Sequence, residues 1–128
     1  MPQVLRLQHT SIPMPPGGQA EARSFFGHAL GMKEVRPPKE LDADNLVWFL
    51  AGDGGHEIHL FVDPELASNS PAQHLCLQVD DADAFREQLI EYGVPIEETI
   101  AIPSRPRFFI RDPFTNFIEI TQIIGDYT

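Results

Sequence analysis

The chain has 128 residues, of which 42% are hydrophobic, enough for one domain to bury a core without metal or disulfide support. With 19 Asp and Glu against 9 Lys and Arg, its formal charge is −10, so its surface repels phosphate backbones and anionic headgroups, and neither nucleic acid nor a membrane is an expected partner. No apolar run approaches the ~20 residues of a bilayer span. The start Met1-Pro2-Gln3-Val4-Leu5-Arg6 has no signal-peptide pattern, and Cys76 is the sole cysteine; the expected compartment is a reducing cytoplasm.

In chain order, Leu5 to Ile12 reads as a short strand, followed by the loop Pro15-Pro16-Gly17-Gly18 and a helical pattern over Gln19 to Leu30. Ala22, Phe25, Phe26 and Leu30 form its apolar stripe and Gly31 its stop. A short extended piece precedes the strand Asn45 to Leu50, the turn Gly52-Asp53-Gly54-Gly55 and the strand Glu57 to Val62. The stretch Asp63 to Pro71 has linker chemistry. The same order then returns: strand Gln73 to Val79, an N-cap at Asp80-Asp81, a helix with Phe85, Leu89 and Tyr92 on its stripe, and Gly93 as the stop. Arg107 to Ile110, the turn Asp112-Pro113-Phe114-Thr115-Asn116 and the strand Phe117 to Ile123 complete it. Each half reads βαβββ, with one module at about 4–63, a linker at 64–72 and a second module at about 73–124.

Strand alternation places His74, Cys76 and Gln78 on one face, opposite Leu75, Leu77 and Val79. His59 falls with Glu57 and Phe61, and Glu119 with Phe117 and Thr121, on the face away from Ile58, Leu60, Ile118 and Ile120. His9 is placed by its correspondence with His74, because Leu5 and Leu7 share its parity. If the halves are related by a pseudo-twofold axis, His9 pairs with His74 and His59 with Glu119. Three imidazoles and a carboxylate suit a divalent metal such as iron, zinc, nickel or manganese. Arg105, Arg107 and Arg111 are read as partners of nearby acids or holders of a substrate anion, Cys76 as an inert small side chain, and His28 and His56 as solvent-facing.

On His9-Thr10-Ser11-Ile12, Leu30-Gly31-Met32, Glu57-Ile58-His59-Leu60, His74 to Asp81 and Arg111 to Ile120, the chain resembles the vicinal oxygen chelate superfamily of glyoxalases, bleomycin-resistance proteins and extradiol dioxygenases. The resemblance implies an α+β fold in which two tandem βαβββ modules form a partly open, cup-shaped barrel, with metal ligands at His9, His59, His74 and Glu119. It also implies a small-molecule substrate chelated through adjacent oxygens in a lyase, isomerase or oxygenase reaction, and a homodimer. His9, His74 and Glu119 resemble a two-histidine, one-carboxylate triad, which leaves His59 as a fourth ligand or a neighbouring acid/base. Family lyases and epimerases usually carry Glu or Gln where His59 stands; Glu57, two residues away on the same face, is the candidate base in their stead. Many members also place glycine where this chain has Thr115, so the loop before Glu119 is expected to differ. Glu119 itself, in an open hydrated cup, is expected to contribute within roughly 1 kcal/mol to folding. The rival readings are a metal-free sequestering protein of the bleomycin-binding type and an antibiotic-modifying transferase.

Overall fold

The computed structural model describes residues 1–66, 70 and 72–126. The fold is α+β, and the chain divides into two compact units, Met1–Leu66 and Ala67–Thr128. No helix among the described residues is long and apolar enough to cross a membrane.

In the first unit, strand β1 (His9–Met14) leads through a helix to β2 (Lys33–Val35), β3 (Leu46–Leu50) and β4 (Glu57–Val62), in the sheet order β1-β4-β3-β2. The first strand begins four residues later than the hydrophobic pattern predicts. Leu5 and Leu7 are exposed, because β1 is held by parallel pairing to β4 and that partner begins at Glu57, opposite His9. The parity conflict at His9 therefore disappears, since Leu5 and Leu7 lie outside the strand.

The predicted helix starts as α1 (Gln19–Ala22) and continues as a π-helical stretch, Arg23–Ala29. There the Leu30 N–H donates to the Phe25 carbonyl and Met32 N–H to Phe26, wider spacings than the α-helical ladder allows. The stripe survives the change: Ala22, Phe25, Phe26 and Leu30 are all buried. Phe26 lies 5.6 Å from Phe49 of β3, centroid to centroid.

In the second unit, β5 (Leu75–Gln78) precedes α2 (Ala82–Glu91), β6 (Arg107–Arg111) and β7 (Phe117–Thr121), with β5 parallel to β7 and β6 antiparallel to it. The extended piece between α2 and β6 bridges to β6 at Glu97 and Phe109, besides the local bridge Ile102 to Arg105, so the module keeps the βαβββ order with one strand reduced to a ladder rung. The Asp81 carboxylate accepts the Ala84 N–H, the expected N-cap. Leu89 is fully buried and Phe85 half-buried, but Tyr92 is exposed. It is not part of the stripe, because the helix ends at Glu91 and Gly93, with φ +79°, turns the chain away.

The turn before β7 also departs from expectation. Thr115 adopts φ +71°, so the loop keeps the left-handed conformation that glycine favours despite its β-branched side chain. The buried Asp112 carboxylate imposes it: Oδ1 accepts the N–H groups of Phe114 at 2.9 Å and Asn116 at 2.8 Å, and Oδ2 accepts Asn116 Nδ2 at 2.7 Å. Relieving the strain at Thr115 exceeds the entropy glycine adds to the unfolded chain, so Thr115→Gly is expected to stabilise by about 1 kcal/mol and raise Tm by about 4 °C. A thermal melt checks this, and an unchanged or lower Tm would show that the turn carries no strain.

Candidate metal centre

The two units present the same local arrangement. In the first, His9 lies opposite Glu57 in the parallel β1/β4 register and His59 follows two residues on, so all three share a face. In the second, Leu75 lies opposite Ile118, which sets His74 beside Phe117 with Glu119 two residues on. Each unit thus carries one histidine at the start of its first strand and one donor at the same offset on its last.

In the first unit the donors are His9 and His59. Their rings stack at 4.0 Å, and His59 also stacks on Trp48 of β3 at 3.6 Å with the planes 3° apart. His59 Nε2 donates to Glu57 Oε1 at 2.7 Å, which in the neutral ring leaves the lone pair on Nδ1. His9 Nδ1 is 2.6 Å from Gln8 Oε1; as that oxygen only accepts, Nδ1 carries a proton, and in the neutral ring Nε2 keeps its lone pair. The Trp48 indole N–H is buried and has no hydrogen-bond partner among the described residues.

In the second unit the donors are His74 and Glu119. His74 Nδ1 donates to the Ala72 carbonyl at 2.8 Å, and its Nε2 lies 3.1 Å from Glu119 Oε1. A backbone carbonyl only accepts, so in the neutral ring the Nε2 lone pair faces a carboxylate oxygen. Two facing acceptors need a cation between or beside them, either a proton on the ring or a metal ion. The spacing suits both: donors on one ion with bonds of ~2.0 to 2.2 Å sit roughly 3.0 to 3.6 Å apart. Donation of the remote ring N–H to a backbone carbonyl is also the usual support of a metal-ligating histidine.

Glu119 Oε2 is occupied on the other side, accepting from Thr121 Oγ1 at 2.6 Å and lying 3.4 Å from Arg107 Nη1. Partial burial alone would raise this carboxyl, but the Thr121 hydrogen bond, the Arg107 guanidinium and His74 outweigh it and hold the group below the ordinary carboxylate range. The open, hydrated setting expected for Glu119 is corrected: its side chain is 13% exposed and Arg107's 14%. Removing the carboxylate therefore strands a largely buried cation.

Of the remaining arginines, Arg111 pairs with Glu97 at 3.1 Å and stacks over Phe117, and Arg105 donates to the carbonyls of Ser104 and Gly125. Cys76 is exposed, but partial burial of its thiol pushes it up, against the hydrogen bond to Thr121, the opposite of the lowering that activates a nucleophilic cysteine. His28 and His56 are exposed. Beside His74, the stacked rings of Phe109 and Phe117 line an open groove of about 290 Å³ with Glu97, Glu98 and Thr99. Within neither unit, among the described residues, do three or more His, Cys, Asp or Glu gather into a ligand set; each supplies a pair. The reading of Arg107 as a partner of a nearby acid holds, with Glu119 as the acid; sequence reasoning put Thr121 on the face of Glu119 but missed its hydrogen bond to the carboxylate and the stacking of Trp48 on His59.

The model of the Glyoxalase/Bleomycin resistance protein/Dioxygenase superfamily matches residues 6–120, and the chain belongs to that family. A solved structure from Bacillus anthracis assigned to the glyoxalase family is 32% identical, with a TM-score of 0.83 over 96% of this chain and 98% of that one. Two more distant structures share the fold: a lactoylglutathione lyase of Agrobacterium tumefaciens, 20% identical with TM-score 0.68 over 94% of each chain, and the fosfomycin resistance protein FosX of Listeria monocytogenes, 15% identical with TM-score 0.72 over 97% and 96%. No curated protein matches the chain.

Proposed function

We propose that the protein is a metal-dependent enzyme of the cytoplasm, a lyase, isomerase or oxygenase acting on a small molecule with adjacent oxygens. His9, His74 and Glu119 would hold a divalent ion of iron, zinc, nickel or manganese, with His59 in or beside that shell. The observation that carries the reading is the His74–Glu119 pair, in which Nε2 lies 3.1 Å from a carboxylate oxygen while the other ring nitrogen is anchored to a carbonyl. The equivalent His9–His59 pair at the same register offset supports it.

When bound, a divalent ion supplies Lewis acidity to the oxygens of a chelating substrate. The remaining chemistry belongs to the chain. Glu57 holds the Nε2 proton of His59 at 2.7 Å, and stacking on His9 and Trp48 fixes the ring plane; an imidazole so oriented accepts a substrate proton at Nδ1, and the Glu57 carboxylate stabilises the imidazolium that forms. The Phe109 and Phe117 rings give the groove beside His74 an apolar wall that keeps water from part of a bound substrate.

Metal analysis of protein purified without a histidine tag tests the reading. One equivalent of a divalent transition metal per chain is expected; a metal-free protein that takes up none on titration would favour a sequestering function.

We also expect a homodimer, because β1 and β2 are edge strands of the first unit's sheet and such edges are commonly covered by a partner. Light scattering at micromolar concentration should return twice the chain mass, and the mass of one chain would contradict this.

A further inference from the structure

We propose that Thr121 is a positioning residue that commits Glu119 to a single oxygen. The inference rests on the reading of Glu119 as a metal ligand and adds what decides how it ligates. A carboxylate free to rotate about its last bond can offer one oxygen or both to an ion, and both would fill a coordination position that a substrate oxygen needs. Here the two oxygens are not equivalent. Oε1 faces His74 Nε2 at 3.1 Å, whereas Oε2 takes the Thr121 hydroxyl proton at 2.6 Å.

The hydroxyl has little freedom to do anything else. Thr121 is 6% exposed, and the Cys76 thiol donates to its oxygen at 3.4 Å, so the hydroxyl proton is directed to Glu119. Arg107 reinforces the assignment from a second direction. Its Nη1 lies 3.4 Å from the same Oε2, while Nη2 is tied to the Ile100 carbonyl at 2.8 Å. Strand geometry explains the pairing: Thr121 is two residues from Glu119 on one face of β7, and Arg107 is opposite Thr121 in the β6/β7 register. With Oε2 held by the protein, Oε1 is the oxygen left for an ion, and an open position is preserved.

The test compares wild type, Thr121→Val and Thr121→Ser, each stripped of metal and titrated with cobalt(II), by calorimetry and visible absorption. Thr121→Val keeps the shape of the side chain and removes the hydroxyl. It is expected to weaken cobalt binding about 10- to 100-fold and to change the d–d spectrum toward a higher coordination number, as Oε2 loses its shorter hydrogen bond and keeps only the longer contact with Arg107. Thr121→Ser should recover both affinity and spectrum, which a role in packing alone would not do. If Thr121→Val does not fold, Thr121→Ala carries the same expectation. Wild-type affinity and an unchanged spectrum in the hydroxyl-free variant would overturn the proposal and leave Glu119 a ligand; wild type that binds no cobalt would overturn the metal reading, and the proposal with it.

Discussion

Glu119→Ala is expected to lower affinity for a divalent ion by at least about 100-fold and to destabilise the metal-free protein by about 1 to 3 kcal/mol. The first effect follows because Glu119 is the charged member of the candidate donor set His9, His59, His74 and Glu119, so its loss removes a bond together with the main attraction for a dication. The second follows from Arg107, 14% exposed and 3.4 Å from the carboxylate, which loses its counter-charge where water reaches it poorly. Calorimetric titration with zinc and melts of the metal-free proteins separate the two. Unchanged affinity would remove Glu119 from the site.

The same pair fixes a pH dependence. The Glu119 carboxyl lies below its ordinary value of 4.5 in the folded protein, so its contribution is present above that value and is lost as pH falls through the lower folded one. The stability gap between wild type and Glu119→Gln should therefore narrow on acidification below about 4.5, measured by urea titration of the metal-free proteins. A gap that widened would mean that the carboxylate is not stabilised by its neighbours.

The largest loss of stability is expected at Asp112. Its side chain is buried and accepts three N–H groups, two of them backbone. Asp112→Ala leaves those donors in a dry turn and should cost about 3 to 4 kcal/mol. Asp112→Asn keeps an acceptor for the two backbone groups and should cost about 1 kcal/mol, the loss falling on the contact with Asn116. Burial raises the Asp112 carboxyl despite these hydrogen bonds, so its ionisation in the folded state works against stability as pH rises from its ordinary value, opposite in sign to Glu119. Denaturant curves for the two variants decide the case; equal losses would mean that the carbonyl-type acceptor is not what holds the turn.

What the sequence made legible was what depends on alternation and repetition. Leu75, Leu77 and Val79 are more buried than His74, Cys76 and Gln78, and the βαβββ order recurs, because a pleated strand with one buried face must alternate. His9 could be matched to His74 through the repeat, not through alternation, because Leu5 and Leu7 share its parity. Harder to read was anything set by pairing partners. The start of β1 depends on where β4 begins, which no local pattern near Leu5 encodes. Tyr92 fits the helical stripe by spacing and leaves it because the helix ends one residue earlier. Thr115 defied its own preference because Asp112, three residues before it, closes the turn. In the site, residue types pointed to Glu57, His59, His74 and Glu119, while the roles of Thr121 and Trp48 depend on cross-strand geometry: a hydroxyl 2.6 Å from a carboxylate and an indole parallel to an imidazole.

X-ray absorption at the metal edge of zinc-loaded protein tests most directly the proposal that His9, His74 and Glu119 hold a divalent ion. The account predicts one zinc per chain in a nitrogen and oxygen shell with the outer-shell scattering of at least two imidazoles, reduced by one in His9→Ala and again by one in His74→Ala. A shell of oxygens alone, or one that neither substitution alters, would contradict it.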